Sequence, residues 1–167
     1  LMNLVAPAAD ARDRLAAIAP LDLSHAIDPA RIKLRSDAVL VIDPAKSTAL
    51  VARNADAVKP IASITKLMTA MVTLDGKLAL DAEVRITDAD VDRLKGTASR
   101  LRVGTRLTRR QLLHLALMAS ENRAAAALAR SYPGGTDAFI AAMNRKSAAL
   151  GMRHTRFHDA TGLSQRN

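Results

Sequence analysis

Hydrophobic and polar residues alternate in blocks whose spacing predicts a mixed α and β chain. Residues 38–42, Ala38-Val39-Leu40-Val41-Ile42, form a short apolar run closed by Asp43-Pro44-Ala45-Lys46, and Thr48 to Ala52 repeats the pattern. Two such runs with a turn between them predict a β-hairpin whose first strand is buried. After Pro60 the apolar positions change spacing. Leu67, Met68, Met71, Val72 and Leu74 recur at helical intervals and leave little polar surface, which predicts a central helix stopped at Gly76. Val84 to Ile86 reads as a short strand, and Asp88 to Thr105 as a polar stretch turning at Gly96 and Gly104. Thr108-Arg109-Arg110-Gln111 is a capping box, in which each end of the motif satisfies a free backbone donor of the other. The helix it opens runs through Leu112 to Met118. An alanine-rich helix is expected from Asn122 to about Arg130, broken by Pro133-Gly134-Gly135. Another, capped by Thr136, should end near Leu150, with Gly151 behind it and a short extended piece at Thr155 to Phe157. Pro7, Pro20 and Pro29 divide the first part of the chain, so residues 1 to about 30 are expected to be peripheral.

Composition narrows what such a chain can do. At 167 residues it can bury a core, and with 49 % hydrophobic but only 2 % aromatic residues that core must be aliphatic. No stretch approaches the roughly 20 apolar residues of a membrane-spanning helix. The absence of cysteine excludes thiol chemistry and disulfide stapling. A net charge of +9 favours anionic polymers or surfaces. Nucleic acid is not the expected partner, because two Phe and one Tyr cannot build a stacking platform.

Candidate chemistry sits at the ends of two helices. Ser63-Ile64-Thr65-Lys66 opens the central helix, and residues three apart share a helix face, so the Lys66 ammonium can reach the Ser63 hydroxyl. That spacing supplies a nucleophile and a base in one turn, near the positive end of the helix dipole. The bland alternative is a capping serine and a solvated lysine, and nine serines with seven lysines produce about 0.4 such tetrapeptides by chance. Yet a lysine in a first helical turn opposes the dipole, and here the helix is apolar almost all round, so the position calls for a reason. Ser120-Glu121-Asn122 lies 57 residues beyond Ser63. It reads either as a polar interhelical loop with Asn122 as a cap or as an exposed substrate-binding amide. His154 and His158 have the spacing of half a metal site but no third ligand, so no metal and no cofactor is expected. His114, among leucines, reads as a core or boundary residue. Thr161-Gly162 looks like part of a K-T-G, but Ala160 precedes it and no strand leads into it.

An S-x-x-K followed by an S-x-N is the pairing of serine enzymes that attack D-alanyl peptides or β-lactams. The longer strings carry the resemblance further. Pro60 to Val72 resembles the active-site helix of low-molecular-mass penicillin-binding proteins, the D-alanyl-D-alanine peptidases, and Leu115 to Ala125 resembles their second motif. Tyr132-Pro133-Gly134-Gly135, Leu150-Gly151-Met152, Thr155-Arg156-Phe157 and Thr161-Gly162-Leu163 follow in the family's order. The S-E-N and Y-P-G-G strings are most similar to the penicillin-binding protein seven/eight group of endopeptidases. The resemblance implies an α/β (α+β) transpeptidase-like fold, as in β-lactamases, with a helical subdomain and an antiparallel sheet. It also implies catalytic roles for Ser63 as acylated nucleophile, Lys66 as its base and Ser120 as proton relay, with Asn122 binding substrate backbone. Peptidoglycan peptides would be substrates, β-lactams covalent inhibitors and the periplasm the location. With no counterpart of the glutamate by which class A β-lactamases deacylate, penicillin should be captured rather than hydrolysed.

The third family motif, K-T-G, is not in this sequence, and the strand that carries it would follow Asn167. Residues 27–167 therefore read as the N-terminal portion of a serine DD-peptidase domain with an incomplete sheet. On its own such a chain is expected to be inactive, and its open sheet edge invites self-association. A non-enzymatic binding or interaction module is the competing class.

Overall fold

The computed structural model describes residues 26–28 and 32–167. Nearly all of the N-terminal segment expected to be peripheral lies outside the described residues. The chain forms two compact units, one ending at Val58 and the other comprising Lys59–Asn167.

In the first unit, β1 (Val39–Asp43) and β2 (Thr48–Arg53) pair antiparallel. Val41 faces Val51 but Ile42 faces Ala49, so the register slips by one residue and Leu50 is left as a bulge. Asp43 closes the turn by accepting a hydrogen bond from the Ala45 N–H at 2.9 Å, and Ser47 takes the left-handed conformation at φ 51°. Ile27 runs alongside β2 in a parallel bridge to Val51, its N–H donating to the Leu50 carbonyl at 2.7 Å. The hairpin is the one expected, but its burial is not. Leu40, Val41 and Ile42 are each more than two-fifths exposed, because a two-stranded ribbon has no second layer of its own.

In the second unit, α1 (Thr65–Asp75) packs against α2 (Arg109–Met118), α3 (Asn122–Arg130) and α4 (Gly135–Ala149). A small ribbon of β3 (Glu83–Arg85) and β4 (Arg106–Thr108) leads into α2. The capping box at Thr108 forms as expected. The Gln111 N–H donates to Thr108 Oγ1, and the Thr108 N–H to Gln111 Oε1 at 2.8 Å. Two apolar clusters meet at α1. Ala70 joins Leu112, Ala116, Ala124 and Leu128, while Met68 and Val72 join Phe139, Met143 and Phe157. Alanines at 124, 125, 127 and 129 are fully buried, which lets α3 approach its neighbours closely.

Several sequence expectations change. The buried face of α1 is Thr65, Lys66, Met68, Thr69, Ala70, Val72 and Thr73, while Leu67, Met71 and Leu74 are exposed. Hydrogen bonding explains why threonines share that face with Met68 and Val72: the Thr69 hydroxyl donates to the Ala160 carbonyl at 2.7 Å and the Thr73 hydroxyl to the Thr69 carbonyl at 2.8 Å. A satisfied threonine is cheap to bury, so bonds to the neighbouring loop and within the helix, together with the apolar contacts of Met68, Ala70 and Val72, set the face. Gly76 does end α1 but with φ −66°, and Lys77 takes the left-handed position. Glycine serves at 76 for space, since a Cβ there would sit 3.1 Å from the Tyr132 ring. α4 begins at Gly135 after a left-handed Gly134, not at Thr136. His114 is exposed rather than core. Thr155 to Phe157 forms no strand. Asn144 instead holds Phe157 by two 2.9 Å bonds, one to its carbonyl and one from its N–H.

Candidate active site

The chain enters α1 through a 3-10 turn, Ala62–Ile64, with Ala62 in the left-handed conformation at φ 46°. Ser63 lies on this turn and is exposed, whereas Lys66, one turn on, is only 2 % exposed. The N-cap position of α1 is Ile64, with no side-chain capping bond, so the bland reading of Ser63 as a helix cap does not hold. Lys66 Nζ lies 3.1 Å from Ser63 Oγ. It also donates to Asn122 Oδ1 at 2.8 Å and to the Thr161 carbonyl at 2.7 Å.

These contacts constrain the amine in the neutral form that a base requires. It has two N–H donors and one lone pair. The Asn122 and Thr161 oxygens can only accept, so they claim both donors and turn the lone pair toward Ser63. Ser120, exposed and left-handed at φ 53°, donates its hydroxyl to Ser63 Oγ at 2.7 Å. A continuous path therefore runs from the Ser120 hydroxyl through Ser63 to the amine. Burial pushes the Lys66 pKa below the usual lysine value, with the Asp159 and Glu121 carboxylates pulling in the opposite direction.

The four residues singled out from sequence thus form one connected cluster, Ser63 and Asn122 bonded to Lys66 and Ser120 bonded to Ser63, although Ser63 and Ser120 are 57 positions apart. Asn122 is the first residue of α3 rather than its cap. Glu121 is the N-cap, accepting from the Arg123 N–H at 3.0 Å and from Ser99 Oγ at 2.8 Å. Both ends of the Asn122 amide are engaged, Oδ1 with Lys66 and Nδ2 with Thr97 Oγ1 at 3.0 Å. His154 and His158 form no metal cluster with other ligands among the described residues. A cavity of about 430 Å³ borders Asn122, Asp159 and Thr161 but not Ser63.

Residues 24–167 match the D-alanyl-D-alanine carboxypeptidase family, peptidase S11. The chain belongs to this family. Among curated S11 relatives, the D-alanyl-D-alanine endopeptidase of Pseudomonas aeruginosa is 53 % identical over 139 residues, 83 % of this chain and 45 % of that protein. That of Escherichia coli is 47 % identical over 135 residues, 81 % of this chain and 44 % of that protein. The chain thus spans less than half the length of these relatives. In three dimensions it is similar to the Streptomyces K15 DD-transpeptidase, with TM-score 0.69 and 34 % identity over 78 % of this chain and 54 % of that one. The D-alanyl-D-alanine carboxypeptidase DacD of Francisella tularensis gives TM-score 0.70 and 29 % identity over 95 % of this chain and 38 % of that one. The α/β penicillin-binding fold implied by the sequence strings is therefore the fold of this chain.

Within this S11 chain, sequence reasoning missed the loop behind the lysine. The sequence offers Thr161-Gly162 as a partial K-T-G and, with Leu163, as a family string but assigns it no role, yet the Thr161 carbonyl is the shortest Lys66 contact. Gly162 passes so close to the active-site turn that a Cβ would overlap the Ala62 carbonyl. A carbonyl carries no side-chain signature. The available signal was a glycine with no turn of its own to explain it.

Proposed function

We propose that the protein is a serine-type DD-peptidase that cleaves D-alanyl peptide bonds of peptidoglycan through an acyl-enzyme on Ser63. The observation that carries this is the Ser63 hydroxyl held between the Lys66 amine at 3.1 Å and the Ser120 hydroxyl at 2.7 Å. In the first step Ser63 Oγ bonds to the D-alanyl carbonyl carbon while its proton passes to Lys66 Nζ. As the C–N bond breaks, Ser120 hands a proton to the departing amine and is reprotonated from Lys66. Water then hydrolyses the ester. Burial lowers the affinity of Lys66 for protons, which favours the role of general base in this cycle. Asn122, whose Nδ2 faces only a threonine hydroxyl, can exchange that bond for one to substrate backbone while Oδ1 keeps Lys66 in place.

Cleavage of cross-links rather than of terminal D-alanine is the preferred form, supported by the endopeptidase names of the Pseudomonas and Escherichia relatives. The reading puts the protein in the periplasm, where that polymer lies, with β-lactams as covalent inhibitors of Ser63. Among the described residues no helix is long and apolar enough to cross a membrane. Incubating the protein at its full natural length with a fluorescent penicillin, followed by peptide mapping, tests the assignment. One adduct on the Ser63 peptide is expected, and cross-linked muropeptides should be cut faster than D-alanyl-D-alanine pentapeptides are trimmed. An adduct elsewhere would remove the nucleophile, and preferential trimming would reverse the endopeptidase preference.

A further inference from the structure

Residues 159–167 fold around a single carboxylate. Asp159 Oδ1 accepts from the Thr161 N–H at 2.8 Å and the Gly162 N–H at 2.6 Å, and Oδ2 from the Ser164 N–H at 2.7 Å. Asn167 Nδ2 adds a bond to Oδ1 at 3.0 Å, while Asn167 Oδ1 accepts from the His158 and Asp159 N–H groups. Alone, burial would raise the Asp159 pKa, but the three backbone donors and the Asn167 amide outweigh it and hold the carboxyl below its usual value.

The loop so formed is fastened along the first two turns of α1. Asn167 Nδ2 donates to Thr65 Oγ1 at 3.1 Å, the Thr161 carbonyl takes Lys66 Nζ at 2.7 Å, and the Ala160 carbonyl takes the Thr69 hydroxyl at 2.7 Å. Gly162 lies against Ala62. Three consecutive backbone positions, 160, 161 and 162, thus touch α1 or the 3-10 turn before it, which carry Lys66 and Ser63. Their spacing is dictated by the carboxylate at their centre, since Thr161 and Gly162 both hang from Asp159 Oδ1.

We propose that Asp159 is a positioning residue for Lys66, acting through the loop it organises to aim the Thr161 carbonyl at the amine. This rests on the acyl-enzyme reading above. Asp159 fixes one of the two acceptors that orient the amine lone pair toward Ser63, and its charge keeps the proton affinity of a buried lysine from falling too far. The carboxylates acting on Lys66 are Asp159, from the loop, and Glu121, from the α3 N-cap. Glu121 is tied to Ser99 and to the Arg123 N–H, so Asp159 is the one whose removal also frees the loop.

The test measures the rate of Ser63 acylation by a fluorescent penicillin against pH, per folded protein, at full natural length. Asp159→Asn keeps the shape and one acceptor oxygen but removes the charge, so the acid limb of the profile should move to lower pH. Asp159→Ala should show the same displacement, and its plateau should fall by about 10-fold to 10²-fold as the amine loses its aim. Asn167→Ala keeps the carboxylate, so its plateau should fall while the limb stays in place. A residue with a merely structural role would change the yield of folded protein and leave the limb unmoved. Ser63-dependent labelling whose acid limb is unmoved in Asp159→Asn overturns the Asp159 role alone. Labelling that persists in Ser63→Ala overturns the acyl-enzyme reading and this inference with it.

Discussion

Gly162→Ala is a single methyl placed where the loop and the active-site turn have no room for it. Gly162 has φ +83°, a conformation that costs an L-residue roughly 1–2 kcal/mol. The new Cβ would overlap the Ala62 carbonyl oxygen and carbon and approach Thr65 Oγ1 to 3.0 Å. None of these is the free end of a flexible side chain. The Ala62 carbonyl already accepts the Thr65 N–H, and Gly162 itself is hung on Asp159. Relief therefore requires the loop and turn to separate, and such overpacking costs typically about 1–3 kcal/mol. The two terms together give about 2–5 kcal/mol, a large share of the stability of an ordinary domain. Separation also withdraws the Thr161 carbonyl from Lys66, so acylation should fall along with stability. Gly151→Ala is the matched control: φ is +73° there and nothing lies within 4 Å, so only the conformational cost remains and acylation should be normal. Urea unfolding and penicillin acylation of both variants decide the matter. If Gly162→Ala loses no more stability than Gly151→Ala and is acylated at the parental rate, the close loop-to-turn contact does not exist in solution.

Ser63→Ala should abolish penicillin labelling, and Lys66→Ala should be nearly as severe with the double variant no worse, because nucleophile and base act as a unit. Intact-protein mass spectrometry reads all three. Burial would raise the Asp92 pKa, but bonds from the Thr97, Lys95 and Leu94 N–H groups prevail and bring it down to about 2. A lowered carboxylate pKa stabilises the fold above the unfolded value and loses that contribution as pH falls through the folded one. Carbon-detected NMR should therefore find Asp92 ionised well below the ordinary carboxylate range and the 92–97 loop opening only as pH approaches 2, and an ordinary Asp92 titration would contradict the hydrogen bonding. The net charge of +9 should give DNA binding that disappears between low and physiological salt, whereas binding that survives there would overturn the choice of cell-wall polymers as partner. Limited proteolysis should remove residues 1–26 first, leaving a product that begins near Ile27, where pairing with β2 starts.

What could be read in the sequence was local. Ser63 and Lys66 are separated by three residues, and the Thr108 capping box by the same interval, so helix geometry alone places their partners. Ser120 and Asn122 take their roles from resemblance, not from spacing, because nothing in the 56 residues between Ser63 and Ser120 reports that their helices meet. The β4 strand went unseen. It is three residues long, carries two polar ones, and exists because Val84 faces Leu107 across a ribbon. The central position of α1 and its end at Gly76 are legible in the sequence, but three of its five large apolar side chains, Leu67, Met71 and Leu74, are exposed. Leucine and methionine outrank threonine on any hydropathy scale, but Thr65, Thr69 and Thr73 lie four apart and two of them bond directly to the 159–167 loop. Partners supplied from 90 or more residues away helped to set which face was buried, and a window of a dozen residues cannot contain them.

The same loop explains why the site holds its shape where the backbone is least comfortable. Among the described residues five non-glycine positions have positive φ. Ser47, Asn54 and Lys77 sit in turns or at a helix end, but Ala62 precedes Ser63, and Ser120 itself carries the hydroxyl bonded to Ser63. Each such position costs of order 1–3 kcal/mol and persists only when its surroundings over-determine it. For Ala62 the surroundings are Gly162 on one side and the Thr65 N–H on the other. For Ser120 they are the hydroxyl bond to Ser63 and, one residue on, the Glu121 N–H donating to the Leu115 carbonyl at 3.1 Å. The strain is therefore borne by contacts that also set the distances from Ser63 to Lys66 and Ser120. A relaxed backbone at either position would let the corresponding hydroxyl swing away, and the hydrogen bonds that join Ser120, Ser63 and Lys66 would be lost before any side chain had been changed.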